Sequence, residues 1–172
     1  TVQDADNGDT LTPTVVGSPV VMLDGAAYML PIEAAALVDP SAFTLTGKTT
    51  NGSSVDIDYT YDPGVANLDF LPEGENLTLT YTVQVNDGTD DSATQDVTIT
   101  ITGTNDAPVV SADSKTVDED SVLDSAVPTP TDVDGTIVAN SYAVSTPISA
   151  GELTFNNDGT YTFTPGADFQ DL

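Results

Sequence analysis

Short clusters of acidic side chains are the part of this chain whose residue types and spacing could do chemistry. The clearest is the Asp-x-Asp pair Asp132 and Asp134, which follows a segment rich in Pro and Thr. On an extended backbone the side chains of residues i and i+2 point the same way, so these two carboxylates can converge on one ion. Calcium takes about six to eight oxygen ligands, supplied by carboxylates, amides and backbone carbonyls on acidic turns. The pattern predicts calcium binding.

The charge balance points to the same chemistry. The 172 residues include 28 acidic and 2 basic side chains, so the formal net charge is −26 at pH 7. Only Lys48 and Lys115 could neutralise a carboxylate. Two carboxylates about 5 Å apart repel each other by roughly 3 kcal/mol at an effective dielectric constant of ~20. Positive charge must therefore come from outside the chain, and divalent cations are the obvious source.

A purely structural role for each acidic residue is the competing interpretation, because Asp and Asn also cap and bend turns. We favour that role for four residues, Asp24, Asp90, Asp91 and Asp158. For Asp106, Asp132 and Asp134 we favour ligation, because they fall near one predicted domain boundary.

Several function classes are excluded by composition. Phosphate binding needs basic patches, so neither nucleic acid nor an anionic membrane surface is expected as a partner. No apolar run approaches the ~20 residues of a membrane span. Histidine is absent, which excludes the Ser-His-Asp constellation and histidine-bound zinc. A suitably spaced pair of carboxylates carries no weight among 28 acidic groups, so we expect that the protein is not an enzyme.

Alternation of apolar and polar residues predicts an all-β fold. The segments 78–85, 96–102 and 55–61 alternate strictly and are rich in β-branched residues, which is typical of half-buried strands. Residues 153–163 read LTFNNDGTYTF, two alternating arms about an Asn-Asp-Gly turn, a strong hairpin signal. The one helical candidate is a short turn at 33–37, after Pro31.

An internal repeat indicates two tandem domains. YTYDPGVANLDFL from Tyr59 recurs as YTFTPGADFQDL from Tyr161, an offset of 102 residues. Seven or so short strands in a period near 100 residues suit an immunoglobulin-like sandwich. We predict one repeat at 1–104 that lacks its first strands and the next at 105–172 that lacks its last strands. The first repeat carries surplus residues, which we place within 17–48.

The boundary and the hairpin regions resemble a known family. VTITITGTNDAPVV at 97–110 is close to the junction motif of the cadherin-like and VCBS-type repeats of large bacterial adhesins of the RTX type, exported by type I secretion. The segments LPEGENLTLTYTVQVNDGTDDSATQDVTITITGTNDAP, VDEDSVLDS and GELTFNNDGTYTFTPGADF extend the likeness over nearly the whole chain. The resemblance implies two tandem immunoglobulin-like or cadherin-like β-sandwiches, exposed on the bacterial cell surface.

The resemblance also implies a set of calcium ligands. In cadherin-like repeats the ions sit at the junction between domains, which here assigns an interdomain site to Glu75, Asn105, Asp106, Asp132 and Asp134. Sites at the adjoining junctions would use Asp4 and Asp6 on one side and Asp118, Glu119 and Asp120 on the other. Calcium ions are thus the expected cofactor, and neighbouring repeats of the same polypeptide are the expected partners.

Two function classes follow. One is a calcium-stabilised structural spacer of a large surface adhesin involved in cell adhesion or biofilm formation, with any host or surface ligand bound through other domains. The alternative is a module that binds a glycan or receptor on a sandwich face. Carbohydrate platforms use exposed aromatic rings, and the chain has 6% aromatic residues and no Trp. This composition favours the spacer.

Overall fold

The protein is built from β-strands in two compact units. A computed structural model describes residues 1–169, the side chains of 167 and 168 excepted; the predicted end of the second repeat, 170–172, lies outside this range. The units are Thr1–Asn105 and Asp106–Leu172. Helix within the described residues is restricted to two 3-10 segments, Ile32–Val38 and Gly166–Phe169. The predicted all-β class is confirmed.

The first unit contains ten strands. These are β1 (Val2–Gln3), β2 (Asn7–Val15), β3 (Val20–Leu23), β4 (Ala26–Ala27), β5 (Phe43–Thr46), β6 (Lys48–Asn51), β7 (Ser54–Val55), β8 (Asp58–Tyr61), β9 (Asn76–Asn86) and β10 (Gln95–Thr102). A six-stranded sheet runs β4-β3-β9-β2-β6, with β10 on β9. Two smaller sheets pair β1 with β7 and β5 with β8.

Strand β9 is the centre of the first unit. One of its edges pairs with β3 and then β2, and the other pairs with β10 along eight residues. Its alternating sequence turns Leu77, Leu79 and Tyr81 to one face, where all three are buried. Opposite them lie Phe43 of β5 and Leu37 of the 3-10 helix, in the same core cluster. The core therefore lies between the large sheet and a second layer formed by the β5–β8 hairpin and the helix.

A tight backbone approach closes one end of this core. Gly103 follows β10, and its amide donates to the Glu75 carbonyl oxygen at 2.9 Å while its own oxygen accepts from the Gly74 amide at 3.2 Å. A Cβ at residue 103 would lie 2.1 Å from the Pro72 carbonyl oxygen. Only glycine can occupy this position without a backbone shift.

The second unit contains one described sheet. Its strands are β11 (Leu123–Ala126), β12 (Glu152–Phe155) and β13 (Thr160–Thr164), in the order β11-β13-β12. The predicted Asn-Asp-Gly hairpin at 153–163 is confirmed: the Gly159 amide donates to the Asn156 oxygen at 3.0 Å, and Gly159 has a φ of 88°. A glycine suits this left-handed conformation, since it has no Cβ.

Three further sequence predictions concern single secondary-structure elements, and two of the three are confirmed. The strands predicted at 78–85 and 96–102 are confirmed as β9 and β10. The helical turn is confirmed as the 3-10 helix. A single strand over 55–61 is wrong: β7 ends at Val55 and β8 begins at Asp58, and the two pair with different strands. No described helix has the length and apolar character needed to cross a bilayer.

Candidate metal site

Three carboxylates converge at the start of the first unit. Asp4, Asp6 and Asp9 each offer an oxygen, and these oxygens all lie within 4.8 Å of one another. Within residues 1–169, side chains of 167 and 168 excepted, this is the group of at least three acidic side chains with metal-binding spacing. The sequence prediction had paired Asp4 with Asp6, and the structure adds Asp9. Oxygen ligands on a short, irregular segment are what calcium prefers.

A bulge brings the third carboxylate into the cluster. Between the pairs Asn7–Asn51 and Thr10–Thr49, β2 uses one residue more than its partner β6. Gly8 lies inside this bulge with a φ of 103°, a conformation that side chains disfavour. Because a bulge re-aims the residues around it, Asp9 reaches the Asp4–Asp6 pair from within a strand. Sequence spacing alone did not indicate this residue; the adjacent glycine was the available signal.

One oxygen of the cluster is buried without a partner. Oδ1 of Asp4 accepts the Asp6 amide at 2.9 Å, whereas Oδ2 of Asp4 is buried and has no hydrogen-bond partner. A buried carboxylate oxygen needs a donor or a cation. Both lysines are engaged elsewhere, Lys48 with Asp58 at 2.9 Å and Lys115 with Asp113 at 3.0 Å. The donor set therefore fits a cation that the chain itself does not provide.

Further carboxylates lie beside the cluster. A cavity of about 240 Å³ is lined by Asp4 together with Asp87, Asp90 and Asp91 of the turn after β9. The Asp90 and Thr89 amides, each 2.8 Å away, donate to Asp87 and lower the pKa of that carboxyl. These bonds favour the ionised form of Asp87, which adds to the negative charge at this end of the unit.

The second Asp-x-Asp pair has a different environment. The Asp132 carboxylate accepts the amides of Asp134 at 3.3 Å and Gly135 at 2.8 Å. The Asp134 carboxylate accepts the Asp106 amide, which lies 3.2 Å from both of its oxygens. The structure thus brings Asp106, Asp132 and Asp134 together within the second unit, with backbone amides as partners of the carboxylates. Calcium ligation by these residues stays a prediction.

The remaining predicted ligands belong neither to the Asp4–Asp6–Asp9 cluster nor to the group around Asp132 and Asp134. Glu75 is half-buried in the first unit, where its backbone bonds to Pro72 and Gly103. Asn105 is the last, exposed residue of that unit. The run Asp118, Glu119 and Asp120 is an exposed turn, closed by the Ser121 amide on the Asp118 carbonyl oxygen at 2.9 Å. An interdomain ion held by Glu75 and the second-unit residues also stays a prediction.

Several acidic side chains are occupied by turn hydrogen bonds. Asp158 accepts the Thr160 amide at 2.9 Å, and Asp91 accepts the Asn86 side-chain amide at 2.9 Å. Asp24, with a φ of 45°, accepts the Asn76 amide at 2.9 Å. The Asp158 and Asp24 contacts fit the backbone-capping role that the sequence favoured, whereas the Asp91 contact joins two side chains within its turn.

Comparison with known proteins finds a similarity for the second unit. Residues 105–172 match the family model of the bacterial Ig domain. No curated protein and no solved structure matches the chain. The second unit is therefore similar to a bacterial Ig-like domain, consistent with a bacterial immunoglobulin-like or cadherin-like repeat.

Proposed function

We propose that this chain is a calcium-stabilised structural spacer from a large secreted adhesin of the bacterial cell surface. The observation that carries the calcium part is the convergence of Asp4, Asp6 and Asp9 around a buried, unpartnered Asp4 oxygen. The match of residues 105–172 to the bacterial Ig domain supports the repeat character, because such domains commonly occur in surface or extracellular proteins. The junction motif at 97–110 supports the RTX-type, VCBS-like assignment.

Charge supplies the driving force for ion binding. The carboxylates of Asp4, Asp6 and Asp9 lie within 4.8 Å of one another, and unit charges at that separation repel by roughly 3 kcal/mol per pair at an effective dielectric constant of ~20. A divalent cation replaces this repulsion by attraction and gives the buried Asp4 oxygen a partner. Because the cluster joins β2 to the segment that leads from β1, the ion would tie the first strands of the unit together.

A spacer role is favoured over a binding platform by the placement of the aromatic rings. Of the aromatic side chains that the structure describes, Tyr59 is the exposed one, at 51% of its surface. Its ring stacks on Phe43 at a centroid distance of 5.4 Å. Sugar platforms need exposed rings to stack against, and one such ring does not form a platform. We also infer that the protein is not an enzyme, since histidine and cysteine are absent from its sequence.

Calcium-dependent unfolding tests the proposal. Extracellular calcium modules bind with a Kd of about 10⁻⁴–10⁻³ M, so calcium at ~1 mM adds up to about 1–2 kcal/mol per site to the free energy of unfolding. We expect a higher melting temperature in calcium than in chelator. Asp9→Asn should abolish most of the difference. Asp62→Asn is the matched control: it makes the same charge change in the same unit, where the Asp62 carboxylate accepts only the nearby Gly64 amide among the bonds described for it.

Two outcomes would contradict the calcium part. One is an unchanged melting curve in calcium and in chelator. The other is an equal loss of the calcium effect in both variants, which would indicate non-specific screening of the −26 charge. The spacer part is tested separately by glycan-array binding of the intact chain, for which we expect no specific ligand. A specific, saturable glycan would favour the binding-module alternative.

A further inference from the structure

The second unit contains a large apolar groove. Its volume is about 770 Å³, and its walls include Val110, Val127, Ile137, Leu153, Phe155 and Tyr161. No large apolar side chain of the described part of this unit is fully buried, and Val138 exposes 72% of its surface. A sandwich domain normally buries such side chains between two sheets. The groove therefore has the chemistry of a core with one layer missing.

The hairpin that forms this groove has a counterpart in the first unit. In the β12–β13 hairpin Leu153 faces Phe163 and Phe155 faces Tyr161. In the β5–β8 hairpin Phe43 faces Tyr61 and Leu45 faces Tyr59, with the same register. The pairs Tyr59–Tyr161 and Tyr61–Phe163 keep the offset of 102 residues that the sequence repeat predicted. The two hairpins are equivalent.

The chain continues alike after both hairpins. A Pro-Gly turn follows β8 at Pro63–Gly64 and β13 at Pro165–Gly166, and the two glycines have φ values of 64° and 69°. The hairpin of the first unit has a connection eight residues longer between its strands, which contains β6 and β7. The sequence analysis placed all the surplus residues of the first repeat within 17–48. That placement is wrong in part, because eight of these residues lie between β5 and β8.

In the first unit, strand β9 covers this hairpin. The Tyr81 ring stacks on Phe43 at a centroid distance of 4.3 Å and lies 6.3 Å from the Tyr61 ring. Leu77 and Leu79 of the same strand are 0% exposed. In the second unit the equivalent face, which includes Leu153, Phe155 and Tyr161, lines the groove instead.

We propose that the groove of the second unit accepts an alternating two-stranded segment equivalent to β9–β10, carried by the same polypeptide beyond residue 172. The segment would present apolar side chains at the positions of Leu77, Leu79 and Tyr81, and it would close the sandwich as β9 closes the first unit. A second copy of this chain is a poor donor. Its own β9 is paired along both edges, by β2 and β3 on one side and β10 on the other, so donation would unfold its first unit.

Extension of the intact chain tests this proposal. The repeated motif ends at Leu71 in its first copy and at Leu172 in its second, which is one residue shorter. A second copy of residues 72–104 is therefore appended after Leu172. We expect the β13 amides to exchange at least about 10-fold more slowly, since exchange follows local stability. The fluorescence of a dye that binds exposed apolar surface should fall as well. The matched control carries the same extension with the appended copies of Leu77, Leu79 and Tyr81 each changed to Asp, and it should resemble the unextended chain.

Each other outcome overturns the proposal. Unchanged exchange in β13 with the apolar extension would show that the groove does not accept such a strand. Equal protection by the Asp-bearing extension would show that the alternating apolar face is not what binds. Protection that depends on protein concentration, with dimers detected by light scattering, would place the donor on a second molecule. None of these outcomes depends on calcium, so the proposal can fail without the spacer function failing.

Discussion

The two units contain equivalent hairpins and differ in what covers them. In the first, Phe43 and Tyr61 meet Tyr81 in a core with Leu77 and Leu79 at 0% exposure. In the second unit, the corresponding face lines an open groove, and none of the large apolar side chains described in this unit is buried. The same local pattern therefore produces a closed core in one unit and an apolar wall in the other. Local alternation builds a strand pair, and the opposing layer decides whether that pair buries its side chains.

The two hairpins also differ in whether their second strand has a partner on its outer edge. β13 pairs with β12 on one edge and with β11 on the other. Within residues 1–169, its counterpart β8 pairs with β5 alone. The first unit thus has the covering strands β9 and β10 and an unpaired edge at β8. Among the described residues, the second unit has the edge strand β11 and no strand over its hairpin face, so each unit contains an element beside its hairpin that the other lacks.

The largest expected difference between the units is in the free energy of unfolding lost when a large apolar side chain is truncated. Leu79→Ala removes a fully buried side chain from β9, and we expect a loss of about 3 kcal/mol in the free energy of unfolding. Phe155→Ala, on the half-buried groove wall, should cost about 1 kcal/mol. Denaturant unfolding of both variants measures the difference. A cost for Phe155→Ala as large as that for Leu79→Ala would show that the second unit has a closed core.

Amide hydrogen exchange should also be slower in the first unit than in the second. The amides of β9 lie in a sheet whose face is packed, and those of β13 lie in a three-stranded sheet whose face lines the groove. We expect exchange to be about 100-fold slower in the centre of β9 than in the centre of β13, because opening β9 requires exposure of the core. Mass spectrometry after digestion, or NMR, reads both strands in one sample. Similar rates in the two strands would contradict the comparison.

Removal of one hydroxyl tests a smaller feature of the first core. Tyr61 and Tyr81 both donate to the Leu37 carbonyl oxygen, at 3.0 and 3.1 Å. Tyr81→Phe or Tyr61→Phe alone should cost about 1 kcal/mol or less, because the other hydroxyl still satisfies this oxygen. The double variant should cost more than the sum, by about 0.5 kcal/mol or more. Tyr59→Phe is the exposed control, and strictly additive single effects would exclude the shared acceptor.

High pH should weaken the first unit in particular. Burial, reinforced by the charge of Tyr81, raises the pKa of Tyr61 to about 12; burial also raises the pKa of Tyr81. In the unfolded chain tyrosine has a pKa of about 10. The folded state therefore holds these protons more tightly, and its advantage is complete below pH ~10 and lost as the pH rises toward 12.

In the second hairpin the position of Tyr61 is occupied by Phe163, which does not ionise. The loss of stability at high pH that comes from this position is therefore confined to the first unit. Ultraviolet titration of the tyrosines, combined with unfolding at pH 9 and 11.5, measures it. Tyr61→Phe should flatten the dependence. A dependence equally steep in that variant would assign it to other groups.

Strand identity and the equivalence of the two hairpins could be predicted from sequence, because both depend on short-range patterns. The alternation of residues 78–85 and the Asn-Asp-Gly turn before Gly159 are local signals, and β9, β12 and β13 appear where these signals lie. The acidic clusters themselves were likewise evident from residue type, and calcium binding by them stays a prediction. The break between Val55 and Asp58 was not, because an alternating run does not specify that its two halves pair with different strands.

Tertiary structure decided which of these side chains meet. Asp9 joins Asp4 and Asp6 because a bulge at Gly8 turns it toward them, and nothing in the spacing of the three residues specifies that bulge. The Asp134 carboxylate accepts the amide of Asp106, 28 residues away in sequence. Alternation assigns a residue to a face and leaves its partner unspecified. The partner of the β5–β8 face is β9, and only the folded chain shows that the same face of the second unit lines a groove.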